Sequence, residues 1–171
     1  MNFGIIRKML GKIMILVGLF MILPIIIALI YKESFRNFLS FIIPTFLLIG
    51  IGFLLNIKKA ENKMNAKEGF IIVGISWLVM SLFGCLPLLI SGYYTNFFDA
   101  FFEITSGFTT TGASITSSET LSNLLSSAHS ILFWRSFTHW IGGMGVLVFI
   151  LAIIPESNEG SAVHILRAES P

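Results

Sequence analysis

Ser106-Gly-Phe-Thr-Thr-Thr-Gly-Ala-Ser114 is a run of small, hydroxyl-bearing and glycine residues inside a strongly apolar sequence. A short amphipathic segment precedes it, and a long apolar stretch, Leu132 to Ile154, follows it. Irregular backbone survives at membrane depth only where protein buries it or water lines it, because its polar groups would otherwise be unpaired in hydrocarbon. A row of carbonyl oxygens can replace the water shell of a cation. The run therefore predicts a pore loop.

The composition predicts an integral membrane protein. Of 171 residues, 55% are hydrophobic and 12% are charged, whereas soluble domains average about 25% charged residues. The net charge of +2 is too small to indicate a nucleic-acid partner. The single cysteine, Cys85, excludes a disulfide framework and is expected to be a buried, inert thiol. His129, His139 and His164 lack metal-ligand spacing, so we expect no cofactor and no protein-bound metal site.

Four apolar stretches are long enough to cross the hydrocarbon, which takes about 20 residues. The first follows Arg7, Lys8 and Lys12, exceeds the roughly 7–15 residues of a signal-peptide core and ends without a cleavage site. The predicted spans are Ile13 to Ile30, Phe38 to Leu55, Phe70 to Ile90 and about Ile131 to Ile154. We expect an all-α integral membrane protein with four transmembrane helices, one re-entrant pore helix and a filter loop.

Basic residues predict the orientation of the chain. Lys58, Lys59, Lys63 and Lys67 lie between the second and third spans, and cytoplasmic loops carry an excess of lysine and arginine. The N-terminus and a basic linker over residues 57–69 are therefore expected in the cytoplasm, in a multi-pass protein of the bacterial cytoplasmic membrane. The region between the third and fourth spans would then be reached from outside.

A half-length helix is expected before the pore loop. Asn96 to Ser106 would measure roughly 16 Å as a helix, about half the hydrocarbon thickness, so it can enter but not cross. Asn96 followed by Asp99 predicts a capped N-terminus. Thr109 to Ser114 would be the extended return limb, and Thr116 to Ser130 a polar outer loop.

The ion-binding atoms would be backbone oxygens of Thr110, Thr111 and Gly112, followed by Ala113, with potassium held through the first three. Gly112 would allow dihedral angles that a side chain forbids, and Thr109 would support the inner end. The alternative is an ordinary external loop rich in glycine, threonine and serine.

Two charged residues near the loop each have two interpretations. Glu103 would either add a cation-attracting field or be a structural carboxylate bonded to filter amides or hydroxyls. Arg135 shares a helix face with His139 and would snorkel to the interface or pair with Glu103 as a brace.

A glycine cluster and one serine–histidine pair remain. Gly142, Gly143 and Gly145 would let the last helix approach the pore helix, and a gating hinge is the second interpretation. Ser106 with His139 would suggest a membrane hydrolase, but the nucleophile-elbow pattern is missing. We therefore expect no enzyme.

Several motifs resemble the Trk/Ktr/HKT superfamily of potassium transporters, and most closely its TrkH branch. They are residues 102–114, Trp134-Arg135-Ser136, residues 140–145 and residues 168–171. The resemblance implies four fused helix–pore-loop–helix repeats around one axis, with an additional helix pair in front. Residues 1–56 would be that pair, residues 70–155 the first repeat, and residues 156–171 the cytoplasmic start of a linker to a second repeat.

The resemblance also implies function and partners: potassium uptake, a homodimer and a cytosolic nucleotide-binding regulatory subunit. The sequence contains no second copy of the repeat, and one loop cannot ring an ion. We therefore expect this chain to be the N-terminal part of a transporter, giving one quarter of the filter beside the remaining repeats. The alternative is a non-conducting membrane subunit or fragment that docks on full-length transporter partners.

Overall fold

The computed structural model describes residues 3–57 and 66–153, with side chains for residues 3–57 and 68–145. Every regular element in these ranges is a helix. The helices are α1 (Phe3–Phe20), α2 (Ile22–Ile30), α3 (Phe35–Asn56), α4 (Ala66–Gly84), α5 (Leu86–Ser91), α6 (Phe97–Phe108), α7 (Ser118–Ser127) and α8 (His129–Ile153). The expected all-α class is confirmed.

Among the residues that the structure describes, three helical segments are long and apolar enough to cross a membrane: Phe3–Ile30, Phe35–Asn56 and Glu68–Ser91. They coincide with the first three predicted spans. The first begins well before the expected Ile13, because α1 is amphipathic at its start and buries Ile5 among other apolar side chains. A hydropathy rule stops at charged residues, whereas a helix with one apolar face does not.

The fourth predicted span corresponds to α8, which is not straight. Its backbone leaves the helical region at Gly145, where φ is 70° and ψ is 151°. Glycine alone adopts such angles readily. The expected linker over 156–171, His164 and most of the basic linker lie outside the described residues, and α4 begins at Ala66, inside the linker range predicted from sequence.

Prolines explain two interruptions of the spans. Pro24 follows the turn between α1 and α2, and Pro87 follows the break between α4 and α5. A proline removes one N–H of the helical ladder, so a carbonyl one turn earlier needs another donor. At the second break the Leu88 N–H donates to the Cys85 carbonyl at 3.1 Å, which leaves the Gly84 carbonyl without its helical donor. The indole Nε1 of Trp134 donates to this Gly84 oxygen at 2.9 Å. A neighbouring helix therefore satisfies the freed carbonyl group.

Helix packing depends on small residues and on one buried indole. A Cβ atom on Gly52 would lie 2.6 Å from the carbonyl oxygen of Gly11, so α1 and α3 meet at glycines. Trp134 is fully buried, and the rings of Phe41 and Phe108 meet it edge-on with centroids 6.3 Å away in each case. This cluster joins α3, α6 and α8 behind the predicted pore loop.

The expected polar loop from Thr116 to Ser130 is instead largely helical. Helix α7 begins after Ser117, whose hydroxyl oxygen accepts a hydrogen bond from the Thr120 N–H at 3.1 Å. Leu124 is fully buried and anchors the helix to the core. The serine-rich composition predicted a polar outer loop, whereas Leu121, Leu124 and Leu125, at positions i, i+3 and i+4, carry the helical period that this composition obscured.

Candidate functional site

Helix α6 has the predicted cap and length. The Asn96 side-chain oxygen accepts a hydrogen bond from the Phe98 N–H at 3.0 Å, and its amide nitrogen lies 3.3 Å from an oxygen of Asp99. The predicted cap at Asn96 is therefore confirmed. The helix has 12 residues, roughly 18 Å, which is too short to cross a bilayer.

The C-terminus of α6 closes in a Schellman motif. The Thr110 N–H donates to the Gly107 carbonyl at 3.0 Å, and the Thr111 N–H donates to the Ser106 carbonyl at 3.0 Å. The helix therefore continues two residues past the predicted end, and Thr109 and Thr110 belong to its terminating turn. The expectation that the extended limb begins at Thr109 was wrong, because these two hydrogen bonds hold Thr109 and Thr110 in the turn that ends the helix.

Two residues of the loop have left-handed backbone. Thr110 has a φ of 56°, at the position that glycine usually fills in this motif, and Gly112 has a φ of 74°. The left-handed region costs a non-glycine residue about 1–2 kcal/mol. Such strain persists only where surrounding structure imposes it, and it is common at functional sites. The two residues reverse the chain direction within a few residues.

The loop presents unpaired carbonyl groups. Within residues 3–57 and 66–153, no protein donor reaches the carbonyl oxygens of Thr110, Thr111 or Gly112. The Ala113 carbonyl differs, since it accepts a hydrogen bond from the Ser106 hydroxyl at 2.7 Å. Three successive carbonyl groups of this exposed turn are thus left to solvent or a ligand.

Hydroxyl groups hold the side chains at the start of the loop. The Thr109 hydroxyl donates to the Thr105 carbonyl at 2.8 Å and lies 2.8 Å from the Thr111 hydroxyl. Thr109 is therefore tied to the last turn of α6 and to its neighbour in the loop.

Glu103 holds residues 114–116 against α6, and these residues are the return limb as the structure places it. One of its carboxylate oxygens, Oε1, accepts hydrogen bonds from the Ile115 N–H at 2.7 Å and the Thr116 N–H at 3.0 Å. The same oxygen accepts from the hydroxyls of Ser114 at 2.7 Å and Thr116 at 2.8 Å. The carboxylate is buried and bonded to amides and hydroxyls of the loop. This is the second of the two interpretations considered from sequence.

Arg135 binds the other oxygen of the same carboxylate. Its Nη2 lies 2.7 Å from Oε2 of Glu103 and 3.2 Å from the Ser114 hydroxyl. The side chains of Arg135 and Glu103 are 18% and 3% exposed, so water screens the pair only weakly. Burial raises the pKa of Glu103, but hydrogen bonds from Ser114 and Thr116, together with the charge of Arg135, outweigh it and leave that pKa below its ordinary value.

Helices α6 and α8 touch through two glycines. A Cβ atom on Gly107 would collide with the Thr138 hydroxyl, and one on Gly142 would collide with the Phe108 carbonyl. Gly143, by contrast, has open space. The predicted close approach between the last helix and the pore helix is present, and Gly142 is the member of the glycine cluster that makes it.

The serine–histidine pair does not form a dyad. The Ser106 hydroxyl donates to Ala113, while Nδ1 of His139 lies 3.0 Å from the Arg135 carbonyl. Across the described part of the chain, no cluster of three or more metal-ligating side chains occurs. Cys85 is buried, as expected.

Sequence reasoning missed two residues that hold the site. The Tyr94 hydroxyl lies 2.6 Å from that of Thr116, and Tyr94 is buried between α5 and α6. Trp134 suits interface anchoring or packing from the sequence, which gives no sign of its hydrogen bond to Gly84. No sequence motif predicts either contact, because both join residues that are distant in sequence.

Comparisons with known proteins agree on one family. Residues 33–170 match the family model described as TrkH, cation transport protein. The Trk system potassium uptake protein TrkH of Escherichia coli K12 is 37% identical over 174 residues, covering 100% of this chain and 34% of that protein. An uncharacterized cation transporter of Methanocaldococcus jannaschii is 36% identical over 163 residues, covering 94% of this chain and 32% of that protein.

A solved structure agrees with the same assignment. The crystal structure of the potassium transporter TrkH from Vibrio parahaemolyticus aligns with a TM-score of 0.76 and 32% identity, covering 94% of this chain and 33% of that one. The chain thus spans about a third of the length of the relatives it matches.

Proposed function

Because this chain belongs to the TrkH family of cation transport proteins, we propose that it takes part in potassium uptake across the cytoplasmic membrane. In this proposal residues 109–113 contribute one of four segments of a selectivity filter, and the other three come from further helix–pore-loop–helix repeats. Residues 1–56 form an N-terminal helix pair, and residues 70–155 form the first repeat.

The observation that carries the proposal is the row of unpaired carbonyls at Thr110, Thr111 and Gly112. A potassium ion that leaves water needs several oxygen ligands at once, and rings of backbone carbonyls supply them in cation filters. One chain segment offers too few oxygens to surround an ion. The proposed filter therefore requires the partner segments, with Ala113 as a weaker fourth contributor because Ser106 already occupies its carbonyl.

Glu103 and Arg135 have a supporting role in this mechanism. Their mutual ion pair is satisfied locally, so neither side chain offers a free charge to the ion. They hold the return limb against α6 and α8, and the ion meets only peptide dipoles. A filter built from dipoles binds a cation and still releases it, as conduction requires.

The direction of transport follows from the proposed orientation. Basic residues before the first span and in the linker after the second support a cytoplasmic N-terminus under the positive-inside rule. The loop would then face the external solution. An inward-moving potassium ion gains about 2.3 kcal/mol per 100 mV of membrane potential, and the chain itself needs no cofactor for this step.

The partners of the assembly are also part of the proposal. Resemblance to the superfamily supports a homodimer and a cytosolic nucleotide-binding regulatory subunit, besides the lipid bilayer. The exposed large apolar side chains of α3, such as Phe46 and Phe53 at 73% and 68% exposed, suit contact with lipid or with other helices.

Complementation of potassium-limited growth tests the proposal. The complete coding sequence that contains this chain is expressed in bacteria lacking their own potassium uptake, and rubidium uptake is measured in parallel. Gly112→Ala places a side chain at a φ of 74°. A cost of about 1–2 kcal/mol in the left-handed region corresponds to roughly a tenfold loss of correctly formed filter, so we expect uptake to fall by about that factor.

Gly74→Ala is the matched control. Gly74 lies in helix α4, and a Cβ atom there would meet nothing within 4 Å. This variant is expected to grow and to take up rubidium as the unmodified protein does. Equal uptake by the Gly112→Ala and Gly74→Ala proteins, at equal membrane abundance, would refute the filter assignment.

A further inference from the structure

The segment 33–37, which runs from the connection after the first span into the first turn of α3, contacts the ends of three other helices. Glu33 Oε1 accepts a hydrogen bond from the Ser130 N–H at 2.8 Å, and Oε2 accepts from the Ser130 hydroxyl at 2.6 Å. The Asn37 side chain donates to the Ser127 carbonyl at 3.1 Å, and Arg36 Nε donates to the Ile90 carbonyl at 2.9 Å. These contacts reach the start of α8 and the ends of α7 and α5.

The side chain of Glu33 is buried beneath this segment. Its side chain is 2% exposed, and Asn37 Nδ2 lies 3.1 Å from Oε2. His129 Nδ1 lies 3.9 Å from Oε1, while the His129 ring stacks on Tyr31 with centroids 4.1 Å apart. A carboxylate is expensive to bury, so its partners must be specific. Each oxygen of Glu33 has at least one donor.

Helix α8 has no acceptor side chain of its own at its start. The residue before it is Ala128, and alanine is a poor N-cap because it offers no oxygen to the free N–H groups of the first turn. Ser130 is the second residue of the helix, and its N–H donates a hydrogen bond to the carboxylate of Glu33. The N-terminal helix pair thus caps α8 from another part of the chain, and the carboxylate charge also suits the positive end of the helix dipole.

We propose that Glu33 is a positioning residue for the ion-pathway loop, which comprises residues 109–116. In this proposal the N-terminal helix pair acts through Glu33 to set the position of α8 against α6. The inference rests on the proposed function for its transport consequence, and on the hydrogen bonds alone for its structural consequence.

The path from Glu33 to the loop is short and continuous. Ser130 and Arg135 are five residues apart in α8, or about 7.5 Å along the axis. Arg135 binds Glu103, and Glu103 holds the Ile115 N–H of the return limb. A shift of α8 along its axis therefore displaces Arg135 and loosens the limb, although Glu33 itself makes no contact with the loop.

The test separates positioning from simple helix capping. Three variants of the complete protein are prepared: Glu33→Ala, Ala128→Ser, and the two combined. The serine gives α8 a cap of its own without restoring the link to the helix pair. Glu119→Ala is the matched control, since Glu119 is an exposed carboxylate on α7 with no side-chain bond to another helix in the described ranges.

Two readouts are used: the ratio of rubidium to sodium uptake, and hydrogen exchange at the amides of Ile115 and Thr116. For Glu33→Ala we expect the uptake ratio to fall and both amides to exchange faster, each by roughly tenfold, the factor that corresponds to one lost charge-assisted bond. The combined variant should keep both defects. Ala128→Ser alone and Glu119→Ala should match the unmodified protein.

The inference is overturned if Glu33→Ala leaves both readouts unchanged, or if Ala128→Ser restores them in the combined variant, because Glu33 would then be only a cap. Should Glu33→Ala not fold, Glu33→Gln serves instead: it keeps one acceptor oxygen for Ser130 and is expected to shift both readouts in the same direction by a smaller factor. If the unmodified protein takes up no rubidium, the proposed function fails, while the exchange readout still decides the inference.

Discussion

Nη2 of Arg135 lies 2.7 Å from Oε2 of Glu103, and this contact joins α8 to the helix that carries the ion-pathway loop. The same carboxylate accepts two backbone N–H groups of the return limb through its other oxygen. One side chain therefore connects three parts of the repeat. Removing the Glu103 carboxylate should therefore disturb the loop more than replacing any one residue of the loop.

Glu103→Gln is expected to destabilise the protein by about 1.5–3 kcal/mol, the contribution of hydrogen bonds to a charged group. The amide keeps one acceptor oxygen, but it leaves the guanidinium of Arg135 without its charge partner. Thermal unfolding of the detergent-solubilised protein measures the loss. Asp99→Asn, a carboxylate-to-amide change one turn earlier on α6, is the control: it keeps an oxygen for the Asn96 amide and should cost at most about 1 kcal/mol through the helix dipole.

Acid should release the same contact. The pKa of Glu103 lies below its ordinary value of 4.5 in the folded protein, so the folded state binds the proton less tightly than the unfolded state does. The stability contributed by the carboxylate is complete above the ordinary value and is lost as pH falls through the lowered pKa. The difference in unfolding free energy between the unmodified protein and Glu103→Gln should therefore shrink below about pH 4.5. A difference that stayed constant from pH 7 to pH 3 would contradict the assignment.

Thr110→Gly should stabilise the fold. Threonine at a φ of 56° bears a strain of about 1–2 kcal/mol that glycine does not, so the variant should unfold at a higher temperature. Thr109→Gly is the matched control, since Thr109 has a φ of −80° and its hydroxyl bonds Thr105. It should be less stable than the unmodified protein. If Thr110→Gly and Thr109→Gly both destabilise the protein, Thr110 does not adopt the left-handed conformation in the solubilised protein.

The elements that sequence predicted share one property: their signal is local. Apolar length predicted the span that the structure places at Phe35–Asn56, and an asparagine before an apolar run predicted the cap at Asn96. The positive φ of Gly112 was expected for the same reason, because glycine in a tight turn has few other uses.

The elements that sequence missed depend on contacts between distant residues. The left-handed Thr110 is set by hydrogen bonds that close α6, and no propensity predicts threonine there. The cap of α8 by Glu33 spans 97 residues of sequence. Such pairings have no period and no fixed spacing, so only the folded arrangement reveals them.

Trp134→Phe should show how much the interrupted third span depends on the indole. Phenylalanine keeps most of the ring packing but removes the N–H that satisfies the Gly84 carbonyl. A buried carbonyl without a donor costs about 1–3 kcal/mol, and the unfolding temperature should fall accordingly. Trp140→Phe is the control, because Trp140 is 52% exposed. An equal fall for both variants would attribute the effect to lost ring area rather than to the hydrogen bond.

Two adjacent glycines of α8 offer the sharpest comparison. A methyl group on Gly142 would collide with the Phe108 carbonyl, whereas one on Gly143 would meet nothing within 4 Å. Gly142→Ala must therefore push α8 away from α6, and inserting a methyl group into tight packing typically costs about 1–3 kcal/mol.

We expect Gly142→Ala to lower both the unfolding temperature and rubidium uptake. Gly143→Ala should leave uptake unchanged and stabilise the helix slightly, since alanine is preferred over glycine in helices by about 1 kcal/mol. The two substitutions have the same chemistry and neighbouring positions, so helix propensity and membrane insertion change equally. Only the contact with Phe108 differs. Equal uptake by both variants would mean that α8 does not press on the end of the pore helix.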